Sequence, residues 1–237
     1  MPSSSRKPLS LGIRVAVSIV MLVGSGRGFA DESQKPQAPK KLVQTFNEIY
    51  DKGSWAKSPD GKGTSGSGST LQITTEYRAF LEQFIKSHEI KSVVDAGCGD
   101  WEFSSAVDWN RARYLGIDIS TKVIAEVKRK HESKTVRFMV GDVTQSLPPA
   151  DLLICKDVLQ HLPIKLIKRF IKNNLRKGKY KWALLTNDRG PENQDIKPGE
   201  YRTINLSAPP FQVKRLADQP VSFPGESTKV TELLDLR

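Results

Sequence analysis

The stretch KSVVDAGCGD, residues 91–100, decides the fold of this chain. Its apolar half predicts a short buried strand that ends at Asp95. Gly97 and Gly99 follow at once, and glycines allow the backbone of a turn to approach a ligand closely. Two glycines alone are weak support for a binding loop, but the strand before them and the helix-like segment after them strengthen it. The sequence therefore places a candidate ligand site at the end of this strand.

Outward from this turn, short apolar runs alternate with segments of helical periodicity. Strands are predicted at 91–95, 114–119, 136–140, 151–155 and 181–186. Helices are predicted at 77–90, at 120–131 and from Pro163 onward, with a half-helical segment at 103–109. The strands are almost continuously apolar, which favours a parallel sheet that is buried on both faces. Two further strands, at 213–223 and 229–236, would close the sheet as an antiparallel pair.

Residues 1–30 have the features of an export signal or a weak membrane anchor, with a basic start and small residues before Asp31. Their apolar stretch, 15–23, has only nine residues, whereas a spanning helix needs about 20. A disordered basic leader, or a start codon placed too early, is the alternative. The protein would be exported, or membrane-associated through this segment, if residues 1–30 are a signal, and cytoplasmic otherwise.

Residues 31–69 are predicted to form a polar linker, a short amphipathic helix at 42–50 and a Gly/Ser-rich loop. The loop, at 58–70, is interpreted either as flexible or as a lid that orders over a ligand. Because the regular alternation of strands and helices begins at residue 70, the predicted ligand-binding domain spans 70–237.

The composition is that of a soluble globular protein with one sizeable core, at 237 residues, 38% hydrophobic and 27% charged. The net charge is +11, and basic residues are concentrated between 165 and 181. Such a stripe either attracts phosphates or nucleic acid or is a solvated helix face. Cys98 and Cys155 lie in apolar runs and are predicted to be buried free thiols. Neither has metal-ligand spacing, so no metal site is predicted.

Three acidic residues, Asp95, Asp118 and Asp142, stand at or just after the ends of the first three core strands. The carboxyl ends of neighbouring parallel strands meet at one edge of a sheet, where ligands bind. The dinucleotide fingerprint would require glycine at position 102, which is Glu102. An acidic loop would repel a pyrophosphate but suits an ammonium or sulfonium group, and Asp118 is placed to accept hydrogen bonds from ribose hydroxyls.

Four segments, taken in order, resemble the successive motifs of class I S-adenosylmethionine (SAM)-dependent methyltransferases. They are VVDAGCGDWEFS (93–104), YLGIDIS (114–120), FMVGDV (138–143) and DLLICKDVLQHLP (151–163). The resemblance is strong over 91–163 and looser over 70–237. It implies an α/β, Rossmann-like fold, with a mostly parallel seven-stranded sheet, helices on both faces and an antiparallel C-terminal strand. It also implies SAM as the cofactor and transfer of its methyl group by in-line displacement.

The resemblance further implies which residues bind the cofactor. They are Asp95, Gly97, Gly99, Asp118, Asp142, Val143 and Lys156. The glycine turn would cradle the methionine part of SAM, Asp118 would hold the ribose, and Asp142 with Val143 would frame the adenine. Lys156, with Asp157 and Gln160, would lie beside the methionine end or the acceptor. Trp101 departs from the pattern, since many members have a third glycine there, and this puts the shape of the loop in doubt.

Candidate general bases lie in the loops after the fourth and fifth predicted strands. They are Asp157, His161, Asn187 and Asp188, and the sequence does not choose among them. Residues 200–202 are candidates for the wall of the acceptor pocket. The segment KDVLQHL, 156–162, resembles the small-molecule branch of the family and lacks the Asp/Asn-Pro-Pro-aromatic turn of enzymes that methylate adenine or cytosine.

The expected acceptor is therefore a small molecule, a sugar or a lipid-linked compound, and nucleic acid is disfavoured without being excluded. Two alternatives stay open. One is a methyltransferase that acts on RNA or protein through the basic stripe. The other is an exported binding protein that keeps the fold without the chemistry, which a pocket blocked by Trp101 or by the 58–70 loop would favour. The sequence indicates no oligomeric state.

Overall fold

The computed structural model describes residues 39–55, 63–226 and 228–237 of the chain. The predicted signal or anchor at 1–30 lies outside the described residues, as do most of the linker and the first part of the Gly/Ser-rich loop. In the part of the chain that the structure describes, no helix combines the length and the apolar character that crossing a membrane requires.

Seven strands of the described residues form one sheet. They are β1 (Ser92–Ala96), β2 (Arg113–Asp118), β3 (Val136–Val140), β4 (Leu152–Lys156), β5 (Trp182–Asp188), β6 (Ala217–Gln219) and β7 (Lys229–Asp235). Their order is β3-β2-β1-β4-β5-β7-β6. Strands β1 to β5 run parallel, while β7 is antiparallel to β5 and β6 is antiparallel to β7. The predicted Rossmann-like, mostly parallel sheet with antiparallel C-terminal strands is confirmed.

The first of the two closing strands is much shorter than the predicted 213–223. Strand β6 covers only Ala217–Gln219, at the exposed edge of the sheet. Pro220 follows it directly, and proline ends a strand because it has no N–H group to donate to a neighbour. The apolar residues on either side of β6 predict a longer strand, but only three residues pair with β7 at this edge of the sheet.

The described α-helices follow the predicted periodicity. They are α1 (Lys40–Lys52), α2 (Thr75–Ser87), α3 (Thr121–His131) and α4 (Ile164–Asn174). Ser120 caps α3, because its side chain accepts a hydrogen bond from the N–H of Val123 at 3.4 Å. Gly53 ends α1 in the left-handed conformation, with φ of +60°. The half-helical segment predicted at 103–109 is a single 3₁₀ turn, Phe103–Ala106.

Strands β1, β4 and β5 are buried along their whole length, as their continuous apolar runs predict. Trp101 belongs to the same core. Its ring centroid lies 5.6 Å from that of Tyr114 and 5.3 Å from that of Phe138. The residue that departs from the motif pattern is therefore part of the packing beside β2 and β3.

Strands β1 and β4 are neighbours in the sheet although β2 and β3 lie between them in the sequence. The chain leaves β1 towards β2 on one side and leaves β4 towards β5 on the other. Loops that diverge in this way open a crevice at the carboxyl edge of a parallel sheet. The fold therefore places the loops that begin after Asp95 and Lys156 on the two sides of a crevice.

The basic stripe at 165–181 is divided by the fold. Lys165, Lys168 and Lys172 are exposed on α4, on the face opposite the buried Ile167 and Phe170. Other basic residues of the stripe form hydrogen bonds and ion pairs within the protein. Lys179 donates hydrogen bonds to Ser146 and Asn174, and Lys181 forms an ion pair of 2.9 Å with Asp151. Part of the stripe is thus a solvated helix face, and part of it fastens neighbouring segments.

Replacing Phe170 tests the packing of α4 on the sheet. The side chain is fully buried, so Phe170→Ala should lower the free energy of unfolding by about 3–5 kcal/mol. Urea unfolding followed by circular dichroism measures the change. Lys168→Ala, on the exposed face of the same helix, is the control and should stay within about 0.5 kcal/mol. A Phe170 variant as stable as this control would contradict the packing described.

Candidate functional site

A cavity of about 360 Å³ opens at the carboxyl edge of the sheet, over the crevice between β1 and β4. Its volume falls in the range of about 300–1,000 Å³ that is usual for small-molecule sites. Every residue predicted to bind the cofactor or to act in catalysis lines it, with the exception of Asn187. These are Asp95, Gly97, Gly99, Asp118, Asp142, Val143, Lys156, Asp157, His161 and Asp188. The structure brings the predicted site together, and the role of each residue stays a prediction.

Asp95, at the tip of β1, is buried and accepts a hydrogen bond of 2.5 Å from the hydroxyl of Tyr114. Burial, together with the nearby carboxylate of Asp118, raises the pKa of Asp95 to about 7, although the hydrogen bond from Tyr114 and the charge of Lys156 lower it. The ionised carboxylate is therefore poorly compensated within the protein. A cation placed beside it would relieve this cost.

The turn after β1 depends on glycine at two positions. Gly97 has φ of +90°, and a Cβ atom there would lie 2.2 Å from Cγ2 of Val158. Gly99 has φ of +55°, and a Cβ atom there would lie 2.4 Å from the hydroxyl oxygen of Ser65. Any larger residue would be strained and would press into the neighbouring loop. The glycines thus keep the turn tight where it borders the cavity.

Asp118, at the tip of β2, is held by the backbone. Its carboxylate accepts one hydrogen bond from the N–H of Ser120 at 2.9 Å and one from the N–H of Gly99 at 3.2 Å, one on each oxygen. Each carboxylate oxygen has a second lone pair for a ligand hydroxyl. Burial raises the pKa of Asp118 to about 6, although these backbone donors lower it. The side chain is fixed in place and still able to accept from a ligand.

Asp142 follows β3 and is almost fully buried. Its carboxylate accepts hydrogen bonds from the N–H of Thr144 at 2.8 Å and from the side-chain amide of Gln145 at 3.2 Å. This local turn orders the backbone around Val143, which also lines the cavity. Asp142 therefore orders the loop after β3, independently of any ligand.

Helix α1 and residues 63–69 form a roof over the cavity. Tyr50 and Trp55, from the end of α1 and the turn after it, line the cavity. Asp100 holds the second part of the roof, because its carboxylate accepts hydrogen bonds from the backbone N–H groups of Thr64 and Ser65. The sequence offers the 58–70 loop as a lid, and its described part does lie against the site. This described part leaves the cavity open. Trp101 belongs to the core and does not line the cavity.

The far side of the cavity holds a buried cluster of charges. The ammonium of Lys156 contacts one carboxylate oxygen of Asp157, and that of Lys229 lies 2.6 Å from the other. Lys229 also lies 3.7 Å from Asp188, at the tip of β5. Burial would raise the pKa of Asp157, but the two lysines outweigh it, and the pKa lies below its usual value. Asp157 is thus committed to neutralising two buried cations.

Lys229 lies on β7, more than 70 residues after Asp157 in the sequence. Its place in the site depends on the antiparallel return of β7 beside β5, which no local motif predicts. Asp157 itself has φ of +56°, a conformation that costs energy for a residue other than glycine. The residue with the strained backbone is thus the same residue whose carboxylate contacts both lysines.

Asp188 lies at the end of β5 and is engaged by several groups. The hydroxyl of Tyr201 donates to it at 3.2 Å and that of Thr228 at 3.3 Å. The backbone N–H of Asp188 donates to the side-chain oxygen of Gln160 at 2.8 Å. These contacts connect the loops that follow β4 and β5, and Asp188 has an ordering role within the cavity wall.

His161 differs from the two carboxylates in that its ring has an acceptor without a partner among the described residues. Its Nδ1 lies 3.2 Å from the carbonyl oxygen of Glu200, and because a carbonyl only accepts, Nδ1 carries the hydrogen. In the neutral ring, Nε2 then holds the lone pair. Burial lowers the pKa of His161. The imidazole is therefore neutral at pH 7 and able to take up a proton at Nε2.

Three other candidates are not part of the cavity wall. Asn187 is buried in β5, and Glu200 and Arg202 flank Tyr201 without lining the cavity. Arg202 donates instead to the backbone carbonyls of Leu159 and Leu162 and so fixes the loop after β4. Of the predicted 200–202 segment only Tyr201 lines the cavity.

Cys98 and Cys155 are both buried free thiols. In the described ranges, no group of His, Cys, Asp and Glu side chains is arranged to hold a metal ion.

Comparison with known families matches residues 93–178 to the family described as "Methyltransferase domain". The matched segment runs from β1 to the residues just after α4 and contains the tips of β1 to β4, but not that of β5. No curated protein sequence matches the chain.

Many solved structures share the fold. The N-methyltransferase NodS from Bradyrhizobium japonicum WM9, solved with S-adenosyl-L-homocysteine, is 12% identical with a TM-score of 0.57, over 79% of this chain and 98% of its own. The methyltransferase domain of bacterial CtHen1-CN is 12% identical with a TM-score of 0.54, over 69% of this chain and 100% of its own. The PH0226 protein from Pyrococcus horikoshii OT3 is 17% identical with a TM-score of 0.51, over 72% and 95%. At these identities the likeness shows the fold.

The buried charge cluster makes a prediction about stability. Asp157→Ala would leave Lys156 and Lys229 close together without their shared carboxylate, which should cost about 3–5 kcal/mol of unfolding free energy at pH 7. The loss should shrink as the pH rises to 10. A lysine whose pKa is lowered in the folded state binds fewer protons there than in the unfolded chain, and this penalty disappears as both states lose the proton. Urea unfolding at the two pH values measures it.

The control for this experiment is Asp51→Ala. Asp51 pairs with Lys122 at 2.6 Å, but both side chains are about half exposed. Removal of such a surface pair should cost less than about 1 kcal/mol, at either pH. Equal effects of the two substitutions would mean that the Asp157 cluster is not the buried, mutually dependent group described here.

Proposed function

We propose that this chain, whose residues 93–178 match a methyltransferase domain, binds SAM and transfers its methyl group to a hydroxyl group of a small molecule. The observation that carries the proposal is the row of carboxylates at the tips of β1, β2 and β3. Asp95, Asp118 and Asp142 are all buried and all line one cavity with the glycine turn.

The residues present fit this cofactor. SAM is a cationic nucleoside, and Asp95 is a buried carboxylate whose charge lacks compensation within the protein. Asp118 keeps lone pairs for the two ribose hydroxyls while the backbone holds it in place. Gly97 and Gly99 leave room for the methionine part, and Asp142 with Val143 would border the adenine. When bound, SAM supplies a methyl group on a positively charged sulfur, which is strongly electrophilic.

His161 is the base that this arrangement favours. The two lysines hold Asp157 ionised and paired, with its pKa below the usual value, so it is a weak proton acceptor. Asp188 is occupied by Tyr201 and Thr228. His161 alone among these three candidates has a neutral acceptor atom, Nε2, without a partner among the described residues. It would receive the proton of the acceptor hydroxyl and so raise the nucleophilicity of the oxygen.

A small acceptor follows from the shape of the site. The cavity is bordered by helix α1, by residues 63–69 and by the loop after β4. A roof of this kind helps to hold a bound acceptor in one orientation. The exposed lysines of α4 are directed to solvent rather than into this cavity, and they play no part in the proposed reaction.

The first test is SAM binding by isothermal titration calorimetry. The wild-type chain should bind SAM, and Asp118→Ala should weaken binding at least 10-fold, because two charge-assisted hydrogen bonds to the ribose are lost and each is worth about 1.5–3 kcal/mol. Glu126→Gln removes an exposed carboxylate of α3 that pairs with Lys130. It should leave the affinity unchanged. The absence of binding at millimolar SAM would end the proposal.

The second test concerns His161. His161→Gln should lower kcat for hydroxyl acceptors by about 10²–10⁴, with the SAM dissociation constant unchanged, when product is measured as S-adenosylhomocysteine released. In the wild type, kcat should fall at acidic pH, because the ring becomes protonated at Nε2 and can no longer accept a proton. This acid limb should be absent from the variant.

His88→Gln is a matched control for the same measurement. His88 follows α2, and its ring stacks on Phe84 at 4.0 Å, away from the cavity. Its kcat and pH profile should match the wild type. If His161→Gln keeps both the wild-type rate and the acid limb, His161 is not the base.

A further inference from the structure

Three aromatic rings stand in a row on the wall of the cavity. The ring of Trp55 lies 5.1 Å from that of His161, and the ring of His161 lies 5.9 Å from that of Tyr201, between centroids. All three residues line the cavity. We refer to Trp55, His161 and Tyr201 as the aromatic wall. Tyr201 is 56% exposed, an unusual position for a large ring whose hydroxyl is already bound to Asp188.

The aromatic wall belongs to the acceptor side of the cavity. Apart from Lys156 at the tip of β4, the proposed cofactor residues stand at the tips of β1, β2 and β3. By contrast, His161 follows β4, and the hydroxyl of Tyr201 is bound to Asp188 at the end of β5. The sheet order puts these two sets on opposite sides of the β1–β4 boundary. The rings therefore face whatever lies beside the cofactor.

On this side the described part of the cavity wall holds more carboxylates than ammonium groups, since Glu226 lines it together with Asp157 and Asp188. The ammonium groups of Lys156 and Lys229 are paired with Asp157, and Lys229 also lies near Asp188. Among the described residues of the cavity wall, both lysines are thus already paired with carboxylates. This arrangement offers no counter-charge to a phosphate or carboxylate on the acceptor, so an uncharged acceptor fits better than an anionic one.

We propose that the acceptor is an uncharged phenol, a flat aromatic ring that packs against the aromatic wall with its hydroxyl directed to Nε2 of His161. This inference rests on the proposed function and deepens it by naming the substrate class. Aromatic rings prefer offset-stacked or edge-to-face contacts with other rings at centroid distances of about 4.5–7 Å. The wall offers such contacts to a further ring.

The acidity of a phenol also suits a histidine base. A phenolic hydroxyl has a pKa of about 10, whereas water, and an aliphatic hydroxyl like it, has a pKa near 15.7. A neutral imidazole takes a proton far more readily from the phenol. In the reaction the phenol proton passes to Nε2, and an oxygen lone pair forms the new O–C bond. The C–S bond breaks with its electron pair left on sulfur, which becomes a neutral thioether.

The test uses a matched pair of probes on the chain saturated with S-adenosylhomocysteine. The probes are 2-naphthol and decahydro-2-naphthol, which share size and hydroxyl but differ in aromaticity. Dissociation constants come from saturation-transfer NMR titrations. The naphthol should bind at least about 5-fold more tightly than its saturated analogue, since ring–ring contacts add to the shared apolar burial.

Two variants separate the ring of Tyr201 from its hydroxyl. Tyr201→Ala should weaken naphthol binding by about 2- to 10-fold and decahydronaphthol binding by clearly less, since both probes lose apolar contact but only the naphthol loses a ring–ring contact. Tyr201→Phe keeps the ring and loses only the bond to Asp188, so it should bind naphthol as the wild type does. Because Tyr201 is more than half exposed, both variants should fold. Equal losses in the two variants would overturn the stacking role.

The failure of this inference can be told from failure of the proposed function. Binding of S-adenosylhomocysteine is measured first, by calorimetry. If it binds and the two probes show equal affinity, the phenol class is wrong and the methyltransferase proposal stands. If it does not bind at all, the proposed function fails, and the inference fails with it.

Discussion

The burial of two carboxylates at adjacent strand tips is the constraint on which the site depends. Asp95 and Asp118 are each withdrawn from water, and folding raises their pKa values to about 7 and about 6. Because the unfolded chain ionises these groups near pH 4, their ionisation in the folded state costs stability as the pH rises from about 4 towards 7. A bound cation would offset this loss of stability. Buried carboxylates with raised pKa values are therefore typical of sites that bind a positively charged ligand.

The other half of the cavity handles charge in the opposite way. Asp157 lies between Lys156 and Lys229, so its charge is balanced inside the protein and needs no ligand. On one side of the β1–β4 boundary the buried carboxylates thus lack a balancing cation, whereas on the other side both lysines are paired with carboxylates. This asymmetry would suit the positively charged donor and the uncharged acceptor that we propose, and the sheet order keeps the two sides adjacent.

The sequence predicts the parallel core well because each strand there has a local signature. The continuous apolar runs at β1, β2 and β4 indicate burial on both faces, and the acids at their ends follow directly. The edge strand β6 is shorter than its sequence suggests, because apolar content does not reveal that Pro220 ends pairing. The sequence gives no sign of the role of Lys229, since a lone lysine on a late strand joins Asp157 only through the antiparallel return of β7.

The roof of the site depends on a similar long-range contact, and this explains why the sequence does not point to Trp55. Helix α1 has an amphipathic pattern that predicts its formation, but not which surface its apolar face covers. Its position is set by contacts with α3: Ser120 donates to Asn47 at 2.8 Å, and Lys122 pairs with Asp51. Ser120 is also the residue whose N–H holds Asp118. The same turn therefore fixes the carboxylate of Asp118 and positions the helix that leads to Trp55, so two sides of the cavity are built from one junction.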